Sequence, residues 1–224
     1  MSVRKRPSRT PPDRDVDATP FTPILAALLE RLPGAYGAAL VDGEGETVDY
    51  SGIAAPFDVR VAAAHLQIML RQVSDYGALG APRWIIVRGG KKSVIIHALP
   101  DGYALAVLLR RRAGFTASRR AFAACERALA KEAGWAEPEG RAWYAVDVDV
   151  DARGRPARIA PDIAVEVLGS LVGLPVRERG YRVRTADGIE LTLVREARSC
   201  WYADEDLVNV SSDRPGAALD QKST

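Results

Sequence analysis

WIIVRGGKKSVIIHALPDGYALAVLLRR, residues 84 to 111, is the stretch that decides the fold. Three apolar runs, Trp84–Arg88, Ser93–Leu99 and Tyr103–Arg110, are separated by Gly89-Gly90-Lys91-Lys92 and Pro100-Asp101-Gly102. Short runs of β-branched and aromatic residues broken by such turn residues predict an antiparallel three-stranded meander. Upstream, LPGAYGAALVDGEGETVDYSG (Leu32 to Gly52) reads as a hairpin, with strands Tyr36–Asp42 and Glu46–Ser51 around an Asp-Gly-Glu-Gly turn. Five strands therefore fall within one stretch of chain.

Helical spacing brackets these strands. After Thr22-Pro23, a suitable start, Ile24, Leu25, Leu28, Leu29 and Leu32 mark one face, and Pro33-Gly34 ends the helix. A second helix is predicted over Asp58–Tyr76, where Val59, Ala62, Ala63, Leu66, Met69, Leu70 and Val73 recur at intervals of three and four. A third, Thr116–Ala133, carries Phe122, Cys125, Leu129 and Ala133 and stops at Gly134. The predicted class is α/β, a five-stranded antiparallel sheet sandwiched by three helices over residues 21–135.

A second unit, 141–207, follows a Pro/Gly/Glu stretch at 137–140. Trp143–Val150 alternates as a strand with one wet face, and a short strand ends near Ile159. Ile163, Val167, Leu168 and Leu171 suggest a helix over Asp162–Val172. Strands Val176–Arg184 and Ile189–Arg195 flank Ala186-Asp187-Gly188, and Cys200–Tyr202 is a possible edge. The unit is expected to be a small α+β domain. Residues 1–20 and 208–224 have too little apolar content to pack and are expected to be disordered.

Of 224 residues 47% are apolar and 27% charged, an ordinary globular balance, and the net charge of +2 argues against nucleic acid as a partner. Arginine outnumbers lysine 26 to 5, a bias read as codon usage in a GC-rich bacterium and not as a binding code. No apolar run approaches the roughly 20 residues of a membrane helix, and the basic start lacks the apolar segment of a secretory signal. No membrane insertion and a cytoplasmic location are therefore expected. The two cysteines, Cys125 and Cys200, have no metal or redox spacing and are expected to be free thiols.

Each chemical motif has a plainer reading. The Gly90-Lys91 pair lacks the upstream glycine and following Ser or Thr of a phosphate loop, because Ile85 and Lys92 stand there. Asp147, Asp149 and Asp151 resemble calcium ligands, yet the required glycine and glutamate positions hold Ala152 and Arg158. His65 and His97 belong to no local ligand set, and Ser51, Ser74 and Ser93 lie in no nucleophile context. Arg110, Arg111 and Arg112 read as a solvated strand exit, or as a surface for an acidic partner. Trp135, Trp143 and Trp201 read as core packing. No enzyme, cofactor or metal is expected.

On the two quoted stretches, and over about half the chain, the sequence resembles the roadblock/dynein light chain family. The resemblance implies a homodimer in which second helices pair and sheets join through the third strand. It also implies a regulator or scaffold that binds a small Ras-like GTPase, or another roadblock protein, in a bacterial polarity or motility system. With helical spacing, it gives Val59, Ala63, Leu66, Met69, Val73, Trp84 and Ile86 as the expected dimer interface. His65, Arg71 and Gln72 are the expected partner-binding residues. A small-ligand sensor or a structural adaptor acting through the second unit, without GTPase binding, is the alternative.

Overall fold

The computed structural model describes residues 13–111, 113 and 117–207. The expectations for residues 1–12 and 208–224, the Thr116 start of the third helix, and Arg112 lie outside the described residues. The chain divides between Glu139 and Gly140 into two compact units.

In the first unit the order is α1 (Phe21–Arg31), β1 (Ala35–Val41), β2 (Thr47–Gly52), α2 (Pro56–Ser74), β3 (Trp84–Arg88), β4 (Lys92–Ala98), β5 (Ala104–Arg110) and α3 (Arg119–Ala133). The strands form one antiparallel sheet in the order β2-β1-β5-β4-β3. This is a roadblock-like fold, with the five strands and three helices expected.

Alternation along the strands assigns the faces. Ala39, Val41, Ile96, Ala104, Ala106 and Leu108 meet Val59, Ala63, Leu66 and Leu70 of α2 in one core. The intervening residues Ala38, Leu40, Ile95, Leu105 and Val107 are fully buried beneath α1 and α3, which pack on each other. Small residues at the sheet centre let the helices sit close. Gly52 is required for a like reason: at φ +121°, a Cβ there would lie 2.5 Å from the Tyr36 carbonyl oxygen.

The helix ends differ by a few residues from the sequence reading. Pro56, and not Asp58, opens α2, and Asp58 falls in its first turn. Ser118 caps α3 by accepting the Ala121 N–H at 2.9 Å, and Gly134 closes it in the left-handed region.

The second unit holds β6 (Tyr144–Val146), β7 (Val148–Val150), β8 (Pro156–Ile159), β9 (Ile163–Ser170), β10 (Arg179–Thr185), β11 (Glu190–Arg195) and β12 (Trp201–Ala203). They pair in the order β6-β12-β11-β10-β9-β8-β7. Because β6 and β7 are one strand bent at Asp147, its two halves serve opposite edges and close the sheet into a barrel. Tyr181, Val183, Leu191, Leu193, Trp201 and Ile159 fill the interior, with Val146, Val148, Ile163, Val165 and Val167 against them.

The helix expected over 162–172 is therefore strand β9, and the described second unit is β in character, not α+β. Ile163, Val167, Leu168 and Leu171 fit a helical stripe, but Ile163, Val165 and Val167 also alternate with Ala164, Glu166 and Leu168. Burial follows the second period: from Ile163 to Leu168 the odd positions are half-buried and the even ones exposed. Three β-branched residues facing one way favour the extended chain.

This alternation is testable. Val167→Asp, which puts a carboxylate against the barrel core, is expected to lower stability by about 2–4 kcal/mol. Leu168→Asp, facing water, is expected to change it by less than about 0.5 kcal/mol. Urea unfolding of the two variants measures the difference; equal losses would contradict the strand.

Candidate partner interface

The two edges of the first sheet are treated differently. Along β2, residues 13–20, expected to be disordered, form a strap pinned by Asp49. This carboxylate is fully buried and accepts from Arg14 Nη2 and Thr19 Oγ1, both at 2.6 Å, from Thr22 Oγ1, and from the Tyr50 N–H at 2.7 Å. Burial pushes the Asp49 carboxyl up, but the Thr19 and Thr22 hydroxyls and Arg14 outweigh it and hold the group below its ordinary value.

Other strap contacts run along the same strand. Arg14 Nη1 donates to the Tyr50 carbonyl, and its guanidinium lies 4.5 Å from the Tyr50 ring centroid. The Tyr50 hydroxyl donates to Asp15 at 2.7 Å, and Asp15 pairs with Arg60 of α2 at 3.1 Å. The middle of the β2 edge, at Asp49 and Tyr50, is thus covered by the chain itself.

The β3 edge is open and apolar, the kind of edge that invites pairing. Ile86 is 46% exposed, and Trp84 and Val87 more than one third. Trp84 is held in place by its neighbours. It lies opposite His97 in the β3–β4 register, with ring centroids 4.0 Å apart, and edge-on to Phe122 at 4.6 Å. His97 is buried and its Nε2 is 2.9 Å from Glu126 Oε2, so Nε2–H donates to the carboxylate. Cys125 beside it is buried, and burial, with Glu126, pushes its thiol up to about 12, so it remains protonated.

Helix α2 carries two apolar stripes. Val59, Ala63, Leu66 and Leu70 face the sheet. Phe57, Val61, Ala64 and Ile68, two positions earlier in each step, face outward. Phe57 is 70% exposed and Ile68 51%. Beside Phe57 and Val61, an open depression of about 410 Å³ runs to Glu46 and Thr47 of the β1–β2 hairpin.

These positions redistribute the expected interface. Val59, Ala63 and Leu66 are at most 4% exposed, packed inside their own unit, and have no surface left for a second copy. The helical period is right, but the stripe it picks out is the inner one. Met69, Trp84 and Ile86 are exposed and Val73 is half-buried. His65, Arg71 and Gln72 are all exposed on α2: His65 Nδ1–H donates to the Val61 carbonyl at 2.8 Å, and Arg71 donates to Gly43 at 3.1 Å.

Sequence reasoning passed over Phe57, Val61 and Ile68. With Ala64, their spacing of four, three and four carries the signal, masked by the longer inner stripe. The described residues contain no cluster of three His, Cys, Asp or Glu side chains arranged to hold a metal. Asp151 binds the Arg153 and Arg155 N–H groups at 2.9 Å and shapes the β7–β8 turn. Trp135 meets Tyr103 with ring centroids 4.8 Å apart and planes tilted by 48°, Arg141 lies 4.9 Å from the Trp143 ring, and Trp201 sits by Tyr181 in the barrel core.

No protein-family model and no curated protein matches the sequence. Solved structures do match. The Myxococcus xanthus MglB structure is 19% identical, covering 51% of this chain and 97% of its own, with a TM-score of 0.43. The gliding protein MglB of Thermus thermophilus is 16% identical, covering 53% and 94%, at 0.44. A roadblock/LC7 domain from Streptomyces avermitilis is 23% identical, covering 40% and 77%, at 0.35. The fold assignment itself rests on the sheet order and the helix placement.

The strap can be tested through Asp49. A carboxylate held below its ordinary value near 3.9 contributes fully above that pH, and the contribution is lost as pH falls through the lower folded value. Asp49→Asn is expected to cost about 1.5–3 kcal/mol at neutral pH, the scale of hydrogen bonds to a charged group. Its deficit should close below about pH 4, and β2 amides should exchange faster with solvent. Hydrogen exchange against pH measures both.

Proposed function

We propose that the first unit is a homodimer built on the outer stripe of α2 and the open β3 edge. The observation that carries this reading is the asymmetry of the sheet. One edge is closed by the chain's own strap, while the other is left apolar beside a helix whose outer face is also apolar. A two-fold axis running past both would pair α2 with α2 and β3 with β3, the isologous arrangement most common in oligomers. Phe57, Val61, Ile68 and Met69, with Trp84, Ile86 and Val87, are the residues assigned to it.

Such a dimer would act as a non-enzymatic regulator or scaffold, binding a small Ras-like GTPase or another roadblock protein in a bacterial polarity or motility system. The support is the resemblance in sequence together with a fold of the kind that resemblance implies. The exposed polar residues of α2, His65, Arg71 and Gln72, border the apolar stripe and are assigned to the partner.

Multi-angle light scattering tests both layers. The chain, 24.2 kDa as a monomer, is expected to run at twice that mass. Val61→Asp with Ile68→Asp is expected to return it to one copy with its helix content unchanged. A double variant that stays dimeric would overturn the interface. With small Ras-like GTPases of the same cell, a two-to-one complex confined to the GTP-analogue form would support the regulatory reading. A dimer indifferent to every GTPase would remove that partner and leave the interface standing.

A further inference from the structure

Two valines of the second unit stand almost wholly in solvent. The connection from β9 to β10 reads LVGLPVRE, Leu171 to Glu178, and Val172 is 94% and Val176 103% exposed. The loop is held by backbone bonds, Leu171 N–H to Gly180 O and Glu178 N–H to Pro175 O, both 2.8 Å. A Cβ on Gly180 would lie 2.7 Å from Leu171 Cδ1 and from Leu174 Cδ1. Both leucines therefore fold back over a position that only glycine leaves open. The leucines stay partly covered, Leu171 at 37% exposure, while the two valines project from the loop.

The ground around the tip is basic. Arg177 and Arg179 follow it directly, Arg179 lies opposite Arg195 in the β10–β11 register, and Arg198 stands in the β11–β12 connection. The acidic groups of these two connections are Glu178 and Glu196. Across 140–207 acids outnumber arginines, twelve to ten, so the basic excess is local. Farther along the wall, Arg182 and Arg184 both bond Glu190 and add no such excess.

We infer that this tip is a contact for an anionic membrane surface, with Val172 and Val176 entering the boundary between headgroups and acyl chains. Arg177, Arg179 and Arg198 meet the lipid phosphates. Apolar insertion joined to cationic attraction is the pairing that peripheral binding requires, since either alone is weak. A protein partner would need a socket shaped to the tip, and valine is under-represented among the side chains that anchor protein interfaces. A fluid interface accepts exposed aliphatic side chains without matching shape. This is contact at a surface and not a span: no helix of the described residues is long and apolar enough to cross a membrane. The inference does not rest on the dimer.

Co-sedimentation of the full chain with vesicles of phosphatidylcholine containing phosphatidylglycerol, against phosphatidylcholine alone, tests it. The chain is expected to pellet with the anionic vesicles and to release as salt rises. Val172→Asp with Val176→Asp should reduce binding at least tenfold with the melting temperature unchanged. Arg177→Ser with Arg179→Ser should weaken it while leaving the tip intact. Failure to bind anionic vesicles, or equal binding by the valine variant, would overturn the proposal. So would a pull-down in which the valine variant loses a protein while neither form binds vesicles.

Discussion

The packing of α2 on the middle of the first sheet governs what that unit can offer. Alanines at 39, 104 and 106 bring the helix close enough for Val59, Ala63, Leu66 and Leu70 to be lost from the surface. Once the inner stripe is set, rotation about the helix axis is no longer free, and Phe57, Val61 and Ile68 must point outward. The same burial on the opposite face, under α1 and α3, leaves the sheet only its two edges. One edge takes the strap. The exposed apolar surface is therefore a by-product of core packing.

Most of the first unit was legible in the sequence because each element satisfied several local rules at once. The Gly89-Gly90 and Pro100-Asp101-Gly102 turns agreed with the apolar runs between them, and the meander followed. The strap was not legible. Its anchor is Asp49, one acid on a strand, and only the fold brings Arg14 and Thr19 to it across some thirty residues of sequence. The faces of α2 failed for another reason: a helix apolar on both sides has one period and two stripes, and spacing alone does not say which meets the sheet.

In the second unit the misreading of β9 has the same root. Ile163, Val167, Leu168 and Leu171 satisfy a period near 3.6, while Ile163, Val165 and Val167 satisfy a period of two. Neighbouring strands settle it, since β10 bonds the backbone of β9 from Val165 to Ser170. Those neighbours lie beyond the reach of a window of sequence. The loop tip was equally hidden, because valine in a Pro-Gly loop gives no sign of whether it folds in or projects.

The bent strand at Asp147 ties the order of synthesis to the order of folding. Its first half, β6, pairs with β12, so Tyr144 finds its partner in Ala203 and Ala145 in Tyr202. The barrel is left unclosed, with an open flank, until the last of its strands has emerged from the ribosome. Contacts so distant along the chain form slowly. The first unit, complete by Glu139, has by then had time to fold on its own.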